Sequence, residues 1–177
     1  ETGVKYALRV NINSAKTIKN LLAEIEWVRH LNHTSGINTP TPIATLKDEF
    51  IVSAVHPESG LTLFAVMYSW LEGEEIGDEP TLDQLHEVGK AIALLHQDSS
   101  NFLLSSQLEL PTFDDFFWST EDFLFSEKSK LPVAEKSLLQ EAHDLIMEFT
   151  RDLYETSPVH IIHADVHGWN LMWHEGK

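Results

Sequence analysis

The segment His163-Ala164-Asp165-Val166-His167-Gly168-Trp169-Asn170 lies between two short apolar stretches, Val159 to Ile162 and Leu171 to Trp173. This order predicts a strand that starts after Pro158, a tight polar loop, and a strand that leaves it. Asp165 and Asn170 then share one loop, with His163 and His167 on either side of the carboxylate.

Towards the amino terminus, a long helix is predicted from Pro132, with Leu138, Ala142, Leu145, Phe149 and Leu153 on one stripe. Residues 113 to 125 concentrate Phe113, Phe116, Phe117, Trp118, Phe123 and Phe125, and read as one or two short helices packed through their rings. Thr81 and Gln84 form a capping-box pattern ahead of Leu82, Leu85, Val88, Ile92 and Leu95, which predicts a helix to about His96. Before it, the acidic, glycine-containing run Glu72 to Pro80 (EGEEIGDEP) reads as a linker between two lobes. The boundary falls at Leu71, dividing the chain into 1–71 and 72–177.

The first part carries the strands. Val4 to Ile12 alternates, with Tyr6, Leu8 and Val10 on a half-buried face and Lys5, Ala7 and Arg9 on the other. From Lys16 to Asn32 the residues Ile18, Leu21, Leu22, Ile25, Val28 and Leu31 recur at helical spacing, with Glu24 beside the stripe. Gly36, Pro40 and Pro42 read as a loop. Glu49 to Val55 and Leu61 to Trp70 follow as strands joined by the hairpin residues His56-Pro57-Glu58-Ser59-Gly60. The fold class is therefore α+β.

Composition narrows the function classes. At 177 residues and 42% hydrophobic content the chain can bury one good core or two modest ones. It has no cysteine, which excludes disulfides, thiolate zinc sites and a cysteine nucleophile, and favours a cytoplasmic location. A net charge of −16 excludes a nucleic-acid partner, because such proteins displace counterions with lysine and arginine. An acidic surface serves solubility first, and steering of cationic substrates second. The apolar run from Leu61 to Leu71 is interrupted by Thr62, Tyr68 and Ser69 and cannot cross roughly 30 Å of hydrocarbon, so no membrane partner is expected. The chain opens at Glu1 without a basic stretch ahead of an apolar one, so no signal peptide is expected either.

His163-x-Asp165-x-His167-x-x-Asn170 is similar to the H-x-D-x-H-x-x-N pattern of the aminoglycoside phosphotransferases and the related choline and homoserine kinases. Four specified residues arise by chance in roughly one chain per thousand of this length. The resemblance implies a protein-kinase-like two-lobe fold, with a truncated small lobe of antiparallel strands plus one helix and a mainly helical large lobe. It also implies transfer of the γ-phosphate of ATP, or another NTP, to a hydroxyl of a small molecule, with Mg2+ as the metal. Such a reaction needs one carboxylate at the acceptor hydroxyl and a second oxygen ligand on the metal that bridges the phosphates.

By that resemblance Asp165 is the catalytic base or positioner, Asn170 a magnesium ligand, His163 a support for the loop backbone, and His167 a contributor to phosphate or loop geometry. The segment YALR places Arg9 where most relatives carry a phosphate-binding lysine, and Glu24 is its expected helix partner, with Glu26 the runner-up. AVMYSWLEG resembles the hinge: Met67 would border the base, and the main chain of Tyr68, Ser69, Trp70 and Leu71 would read an adenine edge. Ala164 departs from the glycine most relatives carry. Relatives also have a phosphate-covering loop before the Arg9 strand and a magnesium aspartate after the catalytic loop. Neither is recognised between Glu1 and Lys177, so the chain alone is expected to be inactive and to self-associate through an exposed sheet edge.

The acceptor is not legible beyond a small-molecule hydroxyl, with an amine-bearing one suggested by Asp114, Asp115, Glu121 and Asp122, residues that equally suit a solvated helix face. Two other readings stay open. A kinase-shaped binding module without activity fits the same fold. A metal-dependent hydrolase would use His160, His163, Asp165, His167 and His174, although their spacings of three and four differ from the usual hydrolase pairs.

Overall fold

The computed structural model describes residues 3–12, 16–34, 36–117 and 120–176. The chain packs as two units, Glu1–Glu109 with His160–Lys177, and Leu110–Val159. The first unit opens with β1 (Tyr6–Asn11), α1 (Ile18–Thr34), the short β2 (Pro42–Ile43) and the hairpin strands β3 (Ile51–Val55) and β4 (Thr62–Ser69).

All three other strands pair antiparallel with β4. β1 runs from Tyr6 opposite Ser69 to Asn11 opposite Phe64, β3 pairs from Ile51 opposite Val66 to Val55 opposite Thr62, and β2 sets Pro42 and Ile43 against Tyr68 and Met67. β2 lies in what reads as a loop. Proline lacks an N–H, and Pro42 is tolerated because β2 forms an edge.

The face of β1 that packs inwards is the reverse of the expected one. Tyr6, Leu8 and Val10 are 52%, 65% and 41% exposed, whereas Arg9 on the alternate face reaches Glu24 of α1. Side chains alternate along a strand, so aiming Arg9 at the helix turns the apolar residues outwards. The core is built by Leu21, Ala23, Ile25, Trp27 and Leu31 of α1 with Val66 of β4. Each fully buried leucine or isoleucine there contributes roughly 1.5–3 kcal/mol.

β5 (Glu74–Glu75) and α2 (Leu82–Ser99) continue this unit. The capping box forms as the sequence specifies: the Gln84 amide N–H donates to Thr81 Oγ1 at 3.2 Å, and the Thr81 N–H donates to Gln84 Oε1 at 2.8 Å. Among the described residues no helix is long and apolar enough to cross a membrane.

In the second unit, α3 (Val133–Thr156) has Pro132 as its N-cap residue, so the helix begins one residue later than expected. None of its residues is buried, and Leu138, Leu145, Phe149 and Leu153 of the predicted stripe are 43% to 68% exposed. The short helices expected over 113–125 are absent from its described residues, and Trp118 lies outside them. Aspartate side chains take the local amides instead: Asp115 Oδ1 accepts from Phe117, and Asp122 Oδ1 accepts from Leu124 and Phe125 at 2.9 and 2.7 Å. Such bonds offer the backbone an alternative to the helix. Phe116, Phe117 and Phe125 gather around His143 of α3, with ring centroids 4.8, 6.5 and 5.2 Å away.

The chain returns to the first unit at His160. The apolar stretch Val159 to Ile162 is not a strand: among the described residues no ladder partner faces it, and apolar character alone does not make one. A 3-10 turn, Gly168–Asn170, precedes β6 (Met172–Trp173). Thr81→Ala should lower unfolding stability by about 1 kcal/mol through loss of the cap, read as a shift in denaturant midpoint at constant m.

Candidate functional site

The residues 163–170 form a closed polar loop whose bonds converge on Asn170. Its Nδ2 lies 3.0 Å from Asp165 Oδ2, 3.1 Å from the Asp165 carbonyl oxygen and 2.9 Å from His167 Nε2. His167 Nε2 is 3.6 Å from Asp165 Oδ1. His163 Nδ1 accepts from the Asp165 backbone N–H at 3.3 Å. With its nitrogen directed inwards, the amide of Asn170 presents Oδ1 on its opposite arm. The Asp165 side chain is 73% exposed.

Ala164 sets the turn between His163 and Asp165 at φ 64°, in the left-handed region. Alanine there carries a steric penalty of about 1 kcal/mol that glycine would not.

The loop is stitched to the acidic linker, which is more than a spacer. β5 pairs with β6, Glu74 opposite Trp173 and Glu75 opposite Met172. The Ile76 N–H donates to Leu171 O and the Gly77 N–H to Gly168 O, both at 3.1 Å. Trp169 Nε1 donates to Asp78 Oδ1 at 2.8 Å. At Gly168 a Cβ would overlap the Gly77 carbonyl, so only glycine permits this approach. None of these partners stood out in the sequence; the sole signal was a glycine in each of two polar segments.

On the sheet, Arg9 Nη1 donates to Glu24 Oε1 in an ion pair. Lys16, unremarked in the sequence, reaches the other oxygen at 2.8 Å, and the Tyr68 hydroxyl lies 3.4 Å from Oε1. Burial raises the Glu24 pKa, but the Lys16 hydrogen bond and the charges of Arg9 and Lys16 outweigh it and hold the carboxyl below its ordinary 4.5. Tyr68 is pushed up to about 12 by burial and by the charge of Glu24. Glu26, the other candidate for Arg9, instead accepts from the Ser105 backbone N–H at 2.9 Å.

The hinge candidates are ordered unevenly. Met67, Tyr68 and Ser69 lie in the β1–β4 ladder, and the Ser69 N–H donates to Thr41 O at 2.8 Å. Trp70 and Leu71 lie beyond the strand, with Lys5 Nζ 5.5 Å from the centre of the Trp70 ring. Among the described residues no three His, Asp or Glu side chains converge on a common point as the hydrolase reading requires. A shallow depression lined by Ile18, Leu22, Phe50, Ile51 and Phe64 contains none of the candidate residues.

The phosphotransferase enzyme family model matches residues 1–177, and the chain belongs to this family. It is 25% identical over 173 residues to amicoumacin kinase of Bacillus subtilis (strain 168), covering 97% of this chain and 49% of that protein. Among solved structures it resembles amicoumacin kinase hAmiN in complex with AMP-PNP, Ca2+ and Ami, with a TM-score of 0.75, 18% identity, and coverage of 100% of this chain and 51% of that one. It also resembles a microcompartment-associated aminopropanol kinase, with a TM-score of 0.69, 21% identity, and coverage of 97% and 54%. The chain thus has the kinase-like α+β fold and spans about half the length of these small-molecule kinases.

Two measurements test this geometry. Ala164→Gly should stabilise the protein by up to about 0.5 kcal/mol, since relief of the left-handed alanine slightly exceeds the added freedom of the unfolded chain; lower stability would mean that the turn is not as described. In an absorbance titration one tyrosine should ionise near 12, and Tyr68→Phe should abolish that step. The signs follow from linkage. The neutral Tyr68 contact stabilises below about pH 10 and is lost as pH rises through about 12. The Glu24 pairs stabilise above 4.5 and are lost as pH falls through its lowered pKa.

Proposed function

We propose that the protein is a cytoplasmic phosphotransferase that moves the γ-phosphate of ATP, or another NTP, to a hydroxyl of a small molecule. The observation that carries this reading is the contact between Asp165 and Asn170 on one loop, 3.0 Å from Nδ2 to the carboxylate. Asp165 would orient the acceptor hydroxyl and take its proton, and its exposure leaves room for an incoming group. Asn170 holds that carboxylate from one side through its Nδ2, which also donates to His167 Nε2. Asn170 Oδ1 is a hard oxygen donor suited to Mg2+, which when bound would neutralise charge on the phosphates.

Arg9, oriented by Glu24, offers a planar fork to a diphosphate. Met67, with the main chain from Tyr68 to Leu71, would border the base, the Ser69 N–H being already engaged by Thr41 O. We assign 1–71 to the small lobe and hinge, and 72–177 to the large lobe. The nucleotide analogue and divalent cation in the structure of a relative support the cofactor assignment. An amine-bearing acceptor is supported by the net charge of −16 and by the likeness to an aminopropanol kinase.

In the full-length protein, assayed for magnesium-dependent ATP consumption against a panel of amino alcohols, Asp165→Asn should lower kcat by about a hundredfold or more and leave thermal unfolding nearly unchanged. Undiminished turnover would remove Asp165 from the chemistry. Nucleotide binding without turnover on any acceptor would favour the non-catalytic module.

A further inference from the structure

One segment of the first unit touches α1 along almost its whole length. At the carboxyl end of α1, Thr34 Oγ1 donates to Asp98 Oδ1 at 2.7 Å, and His30 Nε2 stands 2.9 Å from Asp98 Oδ2, close enough for an ion pair but off-line for a hydrogen bond. One turn back, the His30 ring lies 4.8 Å from that of Phe102. Glu26 then accepts from the Ser105 N–H, and Asn20 Nδ2 donates to Glu109 O at 2.9 Å. As α1 descends from residue 34 to 20, its partners ascend from 98 to 109, so the segment runs antiparallel to the helix.

These contacts bracket Glu24. Asn20 lies one turn before it and Glu26, His30 and Thr34 lie after it, so neither rotation about the helix axis nor sliding along it is free. One residue of slippage moves a helical side chain by 1.5 Å and 100°. Glu24 meets Arg9, Lys16 and Tyr68 at once, and hydrogen bonds near 3 Å do not survive such a displacement. The sheet alone grips one side of the helix; this segment grips another.

We propose that residues 98–109 act as a strap that fixes the register of α1, with Glu26 and Asp98 as positioning residues that hold Glu24 on Arg9 and thereby shape the nucleotide site. The assignment of that site rests on the phosphotransferase reading, whereas the strap itself acts on α1 whatever the ligand.

The test uses the full-length protein with Glu26→Ala, Glu26→Gln and Asp98→Ala, alone and combined with Glu24→Gln. The two alanine variants should raise the nucleotide KM about fivefold or more, with kcat within about twofold and the acceptor KM unchanged. Glu26→Gln keeps an acceptor oxygen for the Ser105 N–H and should restore most of the loss. In the Glu24→Gln background the alanine changes should add little, because the group they position is gone. The Tyr68 titration supplies a readout without ligand: Glu26→Ala should lower it from about 12 as Glu24 is released. Should Asp98→Ala fail to fold, Thr34→Val removes the adjoining contact with little change in volume. Nucleotide and acceptor KM rising together, or full additivity with Glu24→Gln, would overturn the positioning role. A protein that binds no nucleotide overturns the phosphotransferase reading and with it the nucleotide-site assignment. A nucleotide-binding protein whose Tyr68 titration is unmoved in Glu26→Ala overturns the strap alone.

Discussion

The Glu24 carboxylate is where the sheet and α1 are locked together. Its oxygens take Arg9 from β1 and Lys16 from the approach to the helix, with the Tyr68 hydroxyl of β4 nearby. A partly buried carboxylate is costly unless its charge is compensated, and here two cations provide more than one charge of compensation. This constraint decides which face of β1 turns inwards. It overrides the ordinary preference for burying Tyr6, Leu8 and Val10, so an ionic demand, and not apolar burial, sets the orientation of the strand.

A second constraint is steric and lies at the loop. Gly168 and Gly77 approach so closely that a methyl group cannot be accommodated, and two backbone hydrogen bonds flank the contact. The linker thereby fixes the frame on which Asn170 and Asp165 are mounted. Trp169 is held to Asp78 from the same side, so the loop is fastened at its backbone and at one side chain. The left-handed Ala164 is then maintained by surrounding bonds despite its local penalty, as strained residues in functional loops generally are.

Elements with strong periodicity or a reciprocal cap were legible in the sequence: the hairpin, α1, α2 with its Thr81–Gln84 box, and the body of α3. The approach of Asp165 to Asn170 could also be expected from their spacing and from family resemblance, and that of Arg9 to Glu24 from the resemblance alone. The features that escaped depend on partners distant in the chain. β2 and β5 are two-residue strands that exist only because β4 and β6 are presented to them, and two residues carry no period. The stretch from Val159 to Ile162 shows the converse, an apolar run that is no strand without a ladder to join. The aromatic segment failed for a local reason, since Asp115 and Asp122 divert the amides that a helix would need.

Every residue assigned here to nucleotide, metal or proton transfer lies in one unit, although Leu110–Val159 intervenes in the chain between Arg9 and Asp165. The bonds that shape the loop come from the loop itself and from residues 74–78; those that orient Glu24 come from β1, β4, the residues before α1 and the segment 98–109. No bond described for either cluster requires a side chain of the second unit. A substitution among Phe116, Phe117 or Phe125 can therefore alter the packing around His143 without breaking a described contact of Asp165 or Glu24. The orientation of Asp165 and of Glu24 is thus set by bonds made within the first unit, between residues that the loop, the linker, the sheet and the segment 98–109 bring together.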